Sequence, residues 1–148
     1  TGWAHLQTSS ATVAGYLIFR YAGMSGNEVQ EGVASPEVRA GKSYVLGFDN
    51  TNSHFDAVAL ANRSSEAVDV IVTARDALTG AALGAAGTIH LDPLGHTAAL
   101  LSAVVPATVG TAGSIEFSTP KAGQLAVLGL RFTTPSNAFT STPPLLKQ

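Results

Sequence analysis

The sequence predicts an all-β chain, an antiparallel β-sandwich of about eight to ten strands, Ig-like or jelly-roll in character. Three observations predict it. Short apolar segments recur along the chain, parted by clusters of Gly, Pro, Asn and Ser, which is the punctuation of strands and turns. Two segments, 67–76 and 124–133, alternate apolar with other residues, as half-buried antiparallel strands require. No window carries a long amphipathic helix, and the Ala-rich stretches at 57–61 and 81–86 are too short to hold one alone.

Residues 3–8 read as a first strand. Residues 13–21 are apolar on both faces and read as a central strand. Residues 28–34 are more polar and read as a strand near an edge, ended by Ser35-Pro36. After a turn at Ala40-Gly41-Lys42, residues 43–49 put Tyr44, Leu46 and Phe48 on one face. Residues 55–62 follow, with Val58 and Leu60 as the inward pair. Beyond the turn at 63–66, Val68, Val70, Val72 and Ala74 line one face of the clearest strand, and Asp69, Thr73 and Arg75 the other. Asp76 and Gly80 bound a type I turn closed by a left-handed residue, predicting a hairpin into 81–85.

Residues 88–92 and 96–101 flank the turn Pro93-Leu94-Gly95 and read as two strands. Residues 100–105 fit one helical turn stopped by Pro106 equally well. Ile115 and Phe117 face inward in 114–118, which leaves Glu116 outward. In 124–133 the row Ala126, Leu128, Leu130 and Phe132 reads as one face and Val127 as the outer side. Residues 139–142 make a short edge strand before Pro143-Pro144. One domain spans 1–148, with residues 1–2 and 144–148 linker-like and no internal repeat.

Composition narrows the function classes. The net charge is −2 and no basic run exists, which argues against nucleic acid, because phosphates demand clustered Lys and Arg. No apolar stretch approaches the roughly 18 residues that insert in a bilayer. No charged n-region and apolar h-region open the chain, so a signal peptide is not expected within it. Cysteine is absent, which removes disulfides, Cys-ligated zinc and thiol catalysis. Abundant Thr, Ser, Gly, Ala and Asn with little Lys suit an extracellular bacterial β-domain.

The tokens Gly2-Trp3-Ala4, Ile18-Phe19-Arg20, Phe48-Asp49-Asn50-Thr51, Val58-Ala59-Leu60-Ala61-Asn62, Gly95-His96-Thr97-Ala98, Gly129-Leu130-Arg131-Phe132 and Phe139-Thr140-Ser141-Thr142-Pro143 occur in this order. Together they resemble a β-rich domain of secreted bacterial proteins that often stands in tandem or near the C-terminus. The resemblance runs from Gly2 to about Leu145. It implies an extracellular or cell-surface location and brings no activity or site residue with it.

Four kinds of chemistry are open to the residues themselves. In 49–56, Asp49, Asn50, Asn52 and Asp56 offer oxygens to a calcium ion and His54 a nitrogen. The spacing is not that of an EF-hand, and Asp and Asn at turns also cap their own backbone. Zinc would need His54, His90 and His96 to converge. Hydrolysis finds no Gly-x-Ser-x-Gly elbow and no distinctive carboxylate pair, Glu116 being an outward strand residue. Trp3, Tyr16 and Tyr21 are the aromatics that could stack on an extracellular polysaccharide. Surplus apolar faces, on 13–21 and at Ile71 and Val127, fit assembly with other copies or neighbouring domains. The expected function is therefore a non-catalytic extracellular binding or structural module, with carbohydrate binding, calcium-stabilised or not, as the alternative and a hydrolase as the third class.

Overall fold

The computed structural model describes residues 2–10, 12–22, 29–35, 40–136 and 138–147, with backbone alone at 21, 22 and 29. The chain is mostly β, and every strand pair is antiparallel. Among the described residues there are eleven strands: β1 (Leu17–Ala22), β2 (Val29–Ala34), β3 (Ser43–Asp49), β4 (His54–Asn62), β5 (Val68–Asp76), β6 (Gly87–Leu91), β7 (His96–Leu100), β8 (Ala112–Ser118), β9 (Leu125–Thr133), β10 (Ala138–Thr142) and β11 (Leu145–Lys147). They form a four-stranded sheet in the order β10-β9-β4-β7, a five-stranded sheet in the order β11-β3-β8-β5-β6, and a separate β1-β2 hairpin.

The two larger sheets share one core. The five-stranded sheet contributes Tyr44, Leu46, Phe48, Val68, Val70, Val72, Ala74, Leu91, Ile115 and Phe117; the four-stranded sheet contributes Val58, Leu60, Leu125 and Val127. The inward rows of β3, β4, β5 and β8 are those the alternation predicts. One helical turn, α1 (Leu101–Val104), follows β7 and places Leu101 and Val105 in the same core before Pro106 opens a 3₁₀ turn. At the turn after β5, Asp76 accepts from the amides of Leu78 and Thr79, and Gly80 takes φ +69°. That is the conformation its sequence asks for.

Five expectations need correcting. Residues 3–8 form no strand. Only the second half of 13–21 does, and among the described residues β1 is paired with β2 alone rather than central. The expected strand at 28–34 is present as β2, residue 28 lying outside the described residues. Residues 81–85 make one isolated bridge, Arg75 to Ala82, instead of a hairpin strand. In β9 the faces are exchanged: Leu125 and Val127 point into the core, and Ala126, Leu128, Leu130 and Phe132 are half-buried on the other side. Register explains it, since Val127 lies opposite Leu60 and Leu125 opposite Asn62, and directly paired residues share a face. Both rows of β9 are apolar, so alternation alone could not choose.

Finally, the linker-like reading of 144–148 gives way to β11, which pairs with β3 at 145–147. Pro143-Pro144 cannot continue the ladder of β10, and the chain crosses there from the four-stranded to the five-stranded sheet. Leu146 then packs against the core over Gly41, where a Cβ would collide with its side chain.

The β1-β2 hairpin is fastened to the free edge of β10. Phe19 stacks on Phe139, Phe139 meets Phe132, and Phe132 stacks on Phe55, with centroid separations of 5.6, 5.8 and 5.0 Å. Gln30 Oε1 accepts the Phe139 amide, and the Ser141 hydroxyl donates to the Val33 carbonyl. Gly32, opposite Phe19, leaves the room its ring needs.

Candidate functional site

The loop from Asp49 to Asp56 joins β3 of one sheet to β4 of the other. Asp49 Oδ1 accepts the Thr51 amide at 3.0 Å and the Thr51 hydroxyl at 2.6 Å. Asn50 Oδ1 accepts the Asp56 amide at 2.7 Å. Asn52 turns the chain with φ 53°, a conformation Asn tolerates better than most residues. Asp56 is only 3% exposed. Its carboxylate accepts the Asp49 amide at 2.6 Å and faces the Arg131 guanidinium at 3.1–3.4 Å. A buried carboxylate is costly without such partners.

The four residues read from the sequence as oxygen donors thus lie along one connection. Asp49, Asn50 and Asp56 each accept from protein donors, whereas Asn52 itself donates through Nδ2 to the Thr51 hydroxyl. Arg131, opposite Asp56 in the β4-β9 register, supplies a cation that the sequence reading did not include. No local signal could have found it, because the two residues are 75 positions apart. Asn50 Nδ2 and His54 Nδ1 lie buried without a hydrogen-bond partner. With its oxygen held by the Asp56 amide, the remaining polar group of the Asn50 side chain is Nδ2, a donor rather than a metal ligand.

The Thr51 hydroxyl, and then its amide, hold the Asp49 carboxyl below its usual 3.8. A carboxyl depressed in the folded state adds stability at pH above its unfolded value, and that contribution is lost as pH falls through the folded value. Thr51→Val removes the hydroxyl, so its acid-unfolding midpoint is expected at higher pH than that of the parent. Circular dichroism between pH 5 and about pH 2 measures it; coincident acid transitions would contradict the assignment.

The histidines stay on separate partners. His90 Nδ1 bonds Asp69 at 2.7 Å, and this hydrogen bond raises the imidazole above 6.5. His96 begins β7 opposite Ala61, and His54 begins β4 opposite Thr133. Among the described residues no group of three or more His, Asp or Glu gathers as a metal site.

Of the three aromatics, Trp3 donates Nε1–H to the Leu94 carbonyl at 2.9 Å and stacks on His5. It tethers the N-terminal segment to the turn between β6 and β7. Tyr16 is 71% exposed, just before β1. Tyr21 belongs to β1, and its side chain lies outside the described part.

A depression indents the outer face of the five-stranded sheet. Its volume is about 210 Å³, and Val45, Thr73, Arg75, Ser114, Glu116 and Lys147 line it. Period-2 geometry aims these side chains away from the core. Register assembles them, with Thr73 and Val45 both opposite Glu116 and Arg75 opposite Ser114. Burial opposes ionisation of Glu116. Hydrogen bonds from Lys147 and Ser43, with the nearby charges of Lys147 and Arg75, outweigh it and hold the carboxyl low. The outward direction of Thr73, Arg75 and Glu116 is legible in the sequence; their convergence is not.

Searches against protein-family models, curated proteins and solved structures find no match.

Proposed function

We propose that this chain is a non-catalytic binding or assembly module, a β-sandwich of Ig-like or jelly-roll kind that serves a secreted bacterial protein as an adhesive or accessory domain. The observation that carries this reading is the apolar surface outside the shared core. Tyr16, Leu17, Ile18 and Val33 are 51–71% exposed, together on or beside the β1-β2 hairpin. Ile18 and Val33 are direct cross-strand partners, and among the described residues β1 pairs only with β2. An open strand edge beside an apolar face invites addition of another strand. The occupant proposed is β1 of a second copy, since a two-fold pairing brings the same patch to both sides.

Sedimentation velocity over a concentration series tests it. The chain is expected to self-associate, and Ile18→Lys to weaken association at least about tenfold, because burying one such side chain contributes about 1.5–3 kcal/mol. A strictly monomeric profile at high concentration would sink the reading.

A second reading, attachment to extracellular carbohydrate, is favoured by the polar depression between β5, β8, β3 and β11. It combines hydroxyls, charges and one apolar wall, the mixture that sugar hydroxyls and C–H faces call for.

A further inference from the structure

We infer that the outer face of the five-stranded sheet binds a carboxylate-bearing sugar, with Arg75 holding the carboxylate and Thr73, Ser114 and Glu116 holding the ring hydroxyls. The inference rests on the carbohydrate reading and names the class of sugar.

Charge is the first argument. Arg75 and Lys147 stand against the single carboxylate Glu116 among the lining residues, a surplus of one positive charge. Lys147 Nζ is engaged with Glu116 at 2.7 Å, which leaves Arg75 as the cation for an incoming anion. Arg75 Nη1 donates to the Gly80 carbonyl at 3.1 Å. That contact anchors the guanidinium on the turn after β5 while its planar fork remains suited to a carboxylate. A surplus of one charge matches a monocarboxylate better than a polysulfated chain.

Shape is the second argument. About 210 Å³ is below the roughly 300–1,000 Å³ of drug-sized sites and suits a single sugar ring. Thr73 and Ser114 offer hydroxyls that donate or accept, Glu116 accepts, and Val45 gives an apolar wall. All of these residues stand on strands rather than loops, Lys147 as the last residue of the short β11. Regular strands hold such groups in place without the entropy of ordering a loop.

The chemistry is recognition rather than cleavage. Glycoside hydrolysis by the common route needs two carboxyl groups about 5–9.5 Å apart, and among the described residues Glu116 is the only one lining the depression. Among the described residues no aromatic ring lines it either, so affinity for one ring is expected to be weak and to grow with polymer length through avidity.

The test is an NMR titration of the full chain with three probes: oligosaccharides of uronic acid, neutral oligosaccharides of equal length, and sulfated ones. The uronate oligomers are expected to bind most tightly and to shift the amides of Thr73, Arg75, Ser114 and Glu116. Arg75→Ala is expected to weaken uronate binding at least tenfold, and Thr73→Val, which leaves the Gly80 anchor untouched, several-fold. Binding of neutral sugars alone, or tighter binding of sulfated ones, would overturn the inference and leave the carbohydrate reading standing. Binding of none of the three would overturn both. Uronate binding undiminished in both variants would move the site elsewhere and overturn the inference.

Discussion

Arg131→Leu is expected to lower stability by about 3 kcal/mol and the melting temperature by about 10 °C. The substitution leaves Asp56 almost fully buried without its cation. Removing one partner of a buried pair typically costs about 3–5 kcal/mol. The lower end applies here because the Arg131 side chain is 31% exposed, and an exposed partner contributes less through screening. A second substitution separates charge burial from packing. Asp56→Asn keeps an acceptor for the Asp49 amide and removes the charge. The double variant is therefore expected to be more stable than Arg131→Leu alone. Urea denaturation of the four proteins measures the cycle. Strictly additive effects would show that the guanidinium and the carboxylate are not energetically coupled.

Asn62→Asp is expected to cost more still, about 4 kcal/mol at neutral pH, although the two side chains are nearly isosteric. Asn62 ends β4 and is completely buried. Its Nδ2 donates to the carbonyls of Glu66 and Asp92 at 2.7 and 2.9 Å, and its Oδ1 accepts from the amide and hydroxyl of Ser64. One amide thus ties the four-stranded sheet to the turn before β5 and to the turn after β6. Aspartate would aim a charged acceptor at two carbonyl oxygens in a buried site. Asn62→Ala loses the bonds without adding repulsion, and Ser64 Oγ still reaches the Glu66 carbonyl, so about 3 kcal/mol is expected. Equal losses for Asp and Ala would show that the donors to Glu66 and Asp92 are unimportant.

Legibility varied with how many answers a segment allowed. β5 has one apolar row and one polar row, and Val68, Val70, Val72 and Ala74 could only turn inward. β9 has two apolar rows, and the choice fell to its partner, because Leu60 and Val58 of β4 draw Val127 and Gly129 to the same face. Residues 13–21 looked central because both faces are apolar. In the structure β1 serves one face by stacking Phe19 on Phe139 and leaves Ile18 exposed. Local pattern records how much apolar surface a segment carries, not whether the chain itself covers it.

By itself the sequence determined that this is a β chain, where its clearest turn lies at Asp76 to Gly80, and which rows of β3, β4, β5 and β8 build the core. Those properties depend on neighbours within a few residues, where alternation and turn chemistry act. Tertiary structure decided the rest. It closed Asp56 on Arg131, hung two turns on Asn62, and gathered Arg75, Glu116 and Lys147 around one depression. Each of these depends on cross-strand register between distant segments. Register is set by the summed fit of whole strands, and no single stretch of sequence records it.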